Sequence, residues 1–376
     1  MVANLVERFA DRYDFFIVTR NYDSKGDRRP YTSVQTDQWN TVGPAQVFYF
    51  AKGTLTIHKA SELLLSVKPH IVYLNSAFSM PVRQFLRARR KGVGRELPVI
   101  LAPCGEMSDG ALAVKPFKKK LFLKLALASA LYRDVIWKAS FDAEAKEIRH
   151  VIGQSAEIHV AADIAPKSVL PDYDDSWKPE KEIGHVRLAF FSRVVPKKNL
   201  KFLLECLCEI RSGRIALDII GPLEDLQYWA ECQELISQLP DNVSVAVAGS
   251  FEDQRDALRR LAGSHFFAMP TLNENFGYVF LEAMAAGCPV IISDRTVWED
   301  LEEKHVGWRV PLEDRAAYIA RIEQCIAMDS AQYMQMSRRA REYSNEWLSR
   351  PEAETANANL LRYAMSRSFR STSASV

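Results

Sequence analysis

Short apolar runs alternate with amphipathic stretches along most of the chain. Phe15-Phe16-Ile17-Val18-Thr19, Gln46-Val47-Phe48-Tyr49-Phe50, Ile71-Val72-Tyr73-Leu74 and Pro98-Val99-Ile100-Leu101-Ala102 read as strands. Apolar positions at helical spacing predict helices over Ile57–Val67, Met80–Lys91 and Lys115–Tyr132. Strands separated by helices predict a parallel sheet with helices on both faces. The pattern breaks between Ala161 and His185, where Pro166, Pro171 and Pro179 surround the run Asp172-Tyr173-Asp174-Asp175. It then restarts with Leu188–Phe191, a helix at Asn199–Ile210, Ile215–Ile220, Val243–Ala248, His265–Met269, a helix from Gly277, and Val290–Ser293.

The expected architecture is α/β, with two doubly wound domains. The first spans 1–165, a linker spans 166–185, and the second domain spans 186–350. Residues 351–376 are expected to form a C-terminal helix and a disordered Ser/Arg-rich tail after Met365. Ligands of such folds sit at the carboxyl ends of strands, so the expected site is the cleft between the domains. Met1–Ala10 reads as a helix leading into the strand at Phe15. A doubly wound domain normally opens with a strand and a Gly-rich turn, so the first strand is expected to be missing.

Composition narrows the function classes. The 376 residues are 48% hydrophobic and 26% charged, as in an ordinary soluble globular protein. Lys plus Arg (49) nearly balances Asp plus Glu (47), so global charge does not argue for nucleic acid. The six cysteines form no even framework, and Cys206-x-Cys208 is too tight for a zinc pair. No run reaches the ~18 apolar residues of a membrane span, and the N-terminus lacks a signal-peptide pattern. A cytoplasmic protein is expected, with contact to a membrane face left open.

The densest chemistry lies in Pro270–Ile291. Glu274 and Glu282 bracket a turn, Asn275-Phe276-Gly277, that opens a helix; Gly287-Cys288-Pro289 ends it before an apolar strand. The first N–H groups of a helix, with its positive dipole end, can seat a phosphate or diphosphate. Carboxylates on either side can accept from hydroxyl groups of the rest of a nucleotide-sugar. A second feature, Phe191-Ser192-Arg193-Val194-Val195-Pro196-Lys197-Lys198-Asn199, puts cations directly after a strand. By itself that feature reads more readily as a solvated Lys/Arg turn. Asp172-x-Asp174 sits in a Pro-flanked linker and reads as solvated, and His150, His159, His185, His265 and His305 have no metal-ligand spacing.

Taken together, these motifs resemble those of GT-B glycosyltransferases, in particular the retaining nucleotide-sugar transferases of family four. The residues carrying the likeness are Ser192, Arg193, Lys197 and Lys198, then Glu274 and Glu282 with Phe276-Gly277 between them, and Gly287-x-Pro289-Val290. Pro103-Cys104-Gly105-Glu106 and Ala139–Glu144 are looser landmarks in the first half, and Asp37–Phe50 with Tyr73–Ser76 is similar to a subset of bacterial polysaccharide transferases. The resemblance implies that Arg193 and Lys198 hold the donor diphosphate and that Glu274 contacts the transferred sugar. It implies a ribose contact for Glu282, main-chain donors around Asn275, Phe276 and Gly277, and a base flanked by Gly249 and Ser250. Asn75, Glu106 and Glu144 are the acceptor-side candidates, and Glu144 reads equally as a helix residue with no ligand. The implied partners are a nucleoside diphosphate sugar and a glycan or polyprenyl-linked acceptor, with no cofactor and no metal. The competing readings are a non-catalytic nucleotide-sugar-binding scaffold and an epimerase or phosphorylase of the same fold.

The stretch 83–124 is strongly basic. Arg83, Arg87, Arg89, Arg90, Lys91 and Arg95 are followed by Lys115, Lys118, Lys119, Lys120 and Lys124, interleaved with Leu121-Phe122-Leu123. Such a segment fits peripheral contact with an anionic membrane, and it fits a solvated helix edge over a buried face.

Overall fold

The computed structural model describes residues 2–22, 30–51, 55–113, 116–170, 172–274 and 276–373. The chain forms two compact units. One joins the chain up to Ala165 with Pro351–Val376, and the other spans Pro166–Arg350.

The first unit holds two sheets. Strands β1 (Phe15–Arg20), β2 (Trp39–Val42) and β3 (Ala45–Phe50) form one, in the order β1-β3-β2. Strands β4 (Val72–Asn75), β5 (Val99–Ala102), β6 (Val135–Ala139) and β7 (Glu157–Val160) form the other, in sequence order and all parallel. A single parallel sheet was the expectation; β2 corrects it. That strand pairs antiparallel with β3 through the tight turn at Gly43, whose φ of +56° suits glycine. Trp39-Asn40-Thr41-Val42 is too short and too polar to announce a strand.

The C-terminal helix Glu352–Ser373 belongs to this unit and stays helical past Met365, where the sequence suggested a disordered tail. Its Ala358, Leu360, Leu361 and Ala364 share an apolar cluster with Leu5 and Phe9 of the first helix, Ile100 of β5 and Ile136 of β6. Burial of that face stabilises the helix far more than propensity does. Polar ties fix its register: Asn357 Nδ2 donates to the Ala162 carbonyl at 2.8 Å, and Arg12 pairs with Glu354 at 2.8 Å.

The second unit is built on six parallel strands: β8 (His185–Phe191), β9 (Arg214–Ile220), β10 (Val243–Gly249), β11 (Phe266–Met269), β12 (Val290–Ser293) and β13 (Gly307–Val310). Their order is β10-β9-β8-β11-β12-β13. The chain therefore winds outward from β8 to β10, then crosses back to lay β11 on the other side of β8. That reversal is a topological switch point, where loops diverge and leave room for a ligand at the carboxyl ends.

The former linker is pinned to this unit by two lysines at helix C-termini, where cations are favoured. Lys178 Nζ donates to the carbonyls of Ala262 at 3.1 Å and Ser264 at 2.8 Å, closing the helix Gln254–Ala262. Lys181, only 2% exposed, donates to Ile326 and Met328 after the helix Arg315–Ala327.

Candidate functional site

The loops that follow β8 and β11 carry the two motifs, and β8 and β11 are neighbours with Ala189 opposite Phe267. Sequence-distant cations and carboxylates therefore leave the same sheet edge side by side. The loops are laced together by main-chain contacts: the Lys197 carbonyl accepts from Leu272 N at 2.9 Å and from Thr271 Oγ1 at 3.0 Å. On the other flank, Ser192 N donates to the Ile220 carbonyl and Val194 N to the Pro222 carbonyl, both at 2.9 Å. Gly221 makes that approach possible, since a Cβ there would lie 2.2 Å from the Ser192 oxygen.

Lys198 closes a short 3-10 turn, Pro196–Lys198, after which Asn199 takes a left-handed conformation and starts the helix Leu200–Glu209. Its ammonium donates to the Glu274 carboxylate, and both side chains are largely shielded, at 12% and 15% exposure. Arg193 is more open, at 53%, and its Nη1 pairs with Glu224 Oε2 at 2.6 Å. Arg193 and Lys198 are thus each held by one carboxylate. Nothing in the local sequence marked Glu224, which follows β9, as the partner of Arg193.

Gly277 caps the helix Tyr278–Ala285 at φ +80°, and a Cβ there would lie 2.4 Å from the Phe280 ring. Phe276 is buried against Tyr278, Trp298 and Trp347, and its carbonyl accepts from Trp298 Nε1 at 2.7 Å. Its side chain anchors the turn, so what it can offer a ligand is main chain. Asn275 lies outside the described residues. One turn along the helix, Glu282 Oε1 accepts from Gln254 Nε2 at 2.7 Å. Burial pushes the Glu282 carboxyl up to about 7, against the opposing pull of that hydrogen bond. Gln254 is a second residue the sequence did not single out. Gly249 ends β10 at φ +70°, its carbonyl accepting from Gly221 N at 2.7 Å, and Ser250 beside it is exposed. Arg193, Lys198, Glu274, Gly277, Glu282, Gly249 and Ser250 therefore all sit at the carboxyl ends of the parallel strands or in the helices just after them.

In the first unit the acceptor-side candidates brace loops. The Glu106 carboxylate accepts from the N–H groups of Ala77 at 2.6 Å and Phe78 at 3.2 Å, and from Ser76 Oγ at 2.8 Å. Glu144 is 1% exposed and accepts from Gly105 N at 2.6 Å and Ser140 N at 2.7 Å. These two side chains tie together the loops after β4, β5 and β6. Asn75 ends β4, and its buried Oδ1 has no partner among the described residues. It borders a small cavity with Tyr73 and Lys138, and Lys138 forms a buried ion pair with Asp163 that the sequence did not suggest. No cluster of His, Cys, Asp and Glu able to hold a metal occurs among the described residues.

Residues 185–328 match the family described as Glycosyl transferases group 1. Among solved structures, HepE of Anabaena in complex with UDP and glucose aligns over 85% of this chain and 86% of its own, with TM-score 0.58 and 16% identity. Sucrose-phosphate synthase of Thermosynechococcus elongatus aligns over 96% and 92%, with TM-score 0.64 and 15% identity. WaaG, a glycosyltransferase involved in lipopolysaccharide biosynthesis, aligns over 84% and 87%, with TM-score 0.58 and 14% identity. No curated protein sequence matches the chain significantly. The fold is GT-B, with two Rossmann-like units, and the match to the glycosyl transferases group 1 family falls within the second unit.

Proposed function

We propose that the chain is a retaining glycosyltransferase. It moves a hexose-type sugar from a nucleoside diphosphate sugar to a glycan or polyprenyl-linked acceptor in surface polysaccharide assembly. The observation that carries this is the shielded Lys198–Glu274 pair beside Arg193, at the carboxyl ends of the adjoining strands β8 and β11. Arg193 and Lys198 hold the diphosphate and offset its charge as the bond to the sugar breaks. Glu274 accepts from sugar hydroxyls, with the main chain at 275–277 beside it, and Glu282 accepts from the ribose. Gly249 and Ser250 border the base. The acceptor oxygen bonds to the anomeric carbon on the face the diphosphate leaves, and a diphosphate oxygen takes the acceptor proton. The reading calls for no protein nucleophile and no metal ion. HepE, solved with UDP and glucose, supports a nucleoside diphosphate donor, and WaaG supports a surface-glycan role. The enzyme works on the cytoplasmic side, in peripheral contact with the inner membrane face through 83–124, and without nucleic acid.

The test is a panel of nucleotide-sugars incubated with polyprenyl-linked and free glycan acceptors. Nucleoside diphosphate released only when acceptor is present supports transfer. Turnover without acceptor, or only with inorganic phosphate, replaces it by an epimerase or a phosphorylase.

Two consequences concern the groups around the donor. Glu224 neutralises the cation that the diphosphate needs, so Glu224→Gln should tighten nucleotide binding about threefold, a modest gain because Arg193 is half exposed. Weaker binding in a calorimetric titration would show instead that Glu224 holds Arg193 in place for the donor. Glu282 gives a pH dependence. Ribose hydroxyls favour its ionised form, so binding below about pH 7 must release a proton, and affinity should rise with pH and level off above 7. Glu282→Gln should flatten that profile. The stability of the free protein should follow the opposite trend. Its carboxyl pKa is raised above the ordinary 4.5, so the folded state binds the extra proton between about 4.5 and 7 and loses stability as pH rises across that window.

A further inference from the structure

The basic stretch 83–124 is not uniformly available. Arg89 is spent on the carbonyls of Arg133 and Arg95, and Arg83 lies over the Phe122 ring at 5.2 Å. Lys119 donates to the Ala111 carbonyl and lies over Phe78. Lys115 falls outside the described residues. Arg87, Arg90, Lys91 and Arg95 are exposed, and so is one face of the helix Pro116–Ala128. Its Leu123 and Ala126 are buried, whereas Phe117, Leu121 and Leu125 are 78%, 49% and 60% exposed.

These three residues recur every fourth position, so at about 100° per residue they occupy an arc of about 80°. On the same projection exposed Lys120 and Lys124 border one side of the arc and exposed Lys118 the other. The sequence carries no acidic residue from Gly110 to Arg133, and none from Met80 to Arg95 on the helix packed beside it through Arg83 and Phe122. A soluble surface rarely exposes a contiguous aromatic and aliphatic stripe of this kind without a partner.

We infer that this helix lies in the plane of an anionic lipid surface. Phe117, Leu121 and Leu125 enter the acyl boundary, and Lys118, Lys120 and Lys124 reach back to the headgroups. The chemistry selects lipid over a second copy of the chain, because lysines on both flanks would face lysines across a dimer but meet opposite charge at phosphate headgroups. Their stems cover apolar surface while the ammonium groups stay wet, and each contributes attraction that salt weakens. No described helix is long and apolar enough to cross a membrane, so the contact is interfacial. This sharpens the peripheral contact proposed above to one helix face, and it is independent of the donor site.

The test is co-sedimentation of the full chain with vesicles of phosphatidylglycerol and phosphatidylcholine, and with phosphatidylcholine alone, at low and high salt. Binding should require the anionic lipid and weaken with salt. Phe117→Ser, Leu121→Ser and Leu125→Ser together should lower partitioning at least about tenfold. Lys118→Gln, Lys120→Gln and Lys124→Gln together should lower it by about tenfold to a hundredfold at low salt. The thermal midpoint should stay unchanged, because the stripe is exposed; Phe117→Glu alone serves should the triple variant fail to fold. No binding to anionic vesicles at low salt overturns the inference, and so does full binding by the stripe variants. A dimer that dissolves on mutating the stripe, with no vesicle binding, assigns the face to a second copy instead.

Discussion

Turnover should fall about a thousandfold in Lys198→Ala, while the fold survives. The cost has two sources. The departing diphosphate loses a shielded cation, the kind of preorganised charge whose removal commonly costs a hundred- to a thousandfold. Glu274 is then left at 15% exposure with its carboxylate unpaired, facing the anion it would have to admit. Nucleotide binding should weaken with turnover. Adding Glu274→Ala to Lys198→Ala should restore part of the binding without restoring turnover, because it removes the repulsion but not the need for the cation. A double-mutant cycle on nucleotide affinity reads that coupling directly. Additive effects would mean that the pair does not act as one unit. Arg193→Ala should also stop transfer, although with less effect on stability, because its side chain is half exposed.

The second large effect is expected at Gly277. Alanine there must adopt φ +80° and place its Cβ 2.4 Å from the Phe280 ring, which is fully buried and packs edge-on against Phe267 and Trp298. Neither neighbour can yield without opening the core under the helix that carries Glu282. Strain and overpacking together should cost about 2–4 kcal/mol, and the displaced turn should abolish nucleotide binding. Gly43→Ala is the matched control. It also has a positive φ, +56°, but nothing stands within 4 Å of its Cβ, so it should cost about 1 kcal/mol and leave binding intact. Thermal unfolding with nucleotide titration separates the two. A Gly277→Ala protein that binds normally would show that the turn is not part of the site.

The elements that carry the candidate donor site were legible because their signals are local. Ser192–Asn199 and Pro270–Ile291 each carry a strand end, a turn and a helix start in one contiguous stretch, so motif and geometry coincide. What sequence does not contain is the strand order. Only the crossing from β10 to β11, next to β8, brings Lys198 and Glu274 together. Glu224 and Gln254 were invisible for the same reason, since each takes its role from a residue distant in sequence on another element. In the first unit, Glu106 and Glu144 read as acceptor-side candidates next to landmarks, yet their carboxylates are engaged by backbone N–H groups from neighbouring loops. The return of the C-terminal helix to the first unit depends on Ala358, Leu360, Leu361 and Ala364, a stripe too small to reveal its partner. The basic stretch was visible as charge, but the Phe117-Leu121-Leu125 face became distinct only once Leu123 and Ala126 were seen to be buried.

The central claim is that the loops after β8, β10 and β11 form one nucleotide-sugar donor site with Glu282 at its ribose end. Calorimetric titration of UDP and GDP into the intact protein and into Glu282→Ala tests it most directly. The account predicts that one of the two nucleotides binds and that the variant loses most of that affinity with its thermal midpoint preserved. Binding of neither nucleotide, or equal binding by both proteins, would contradict it.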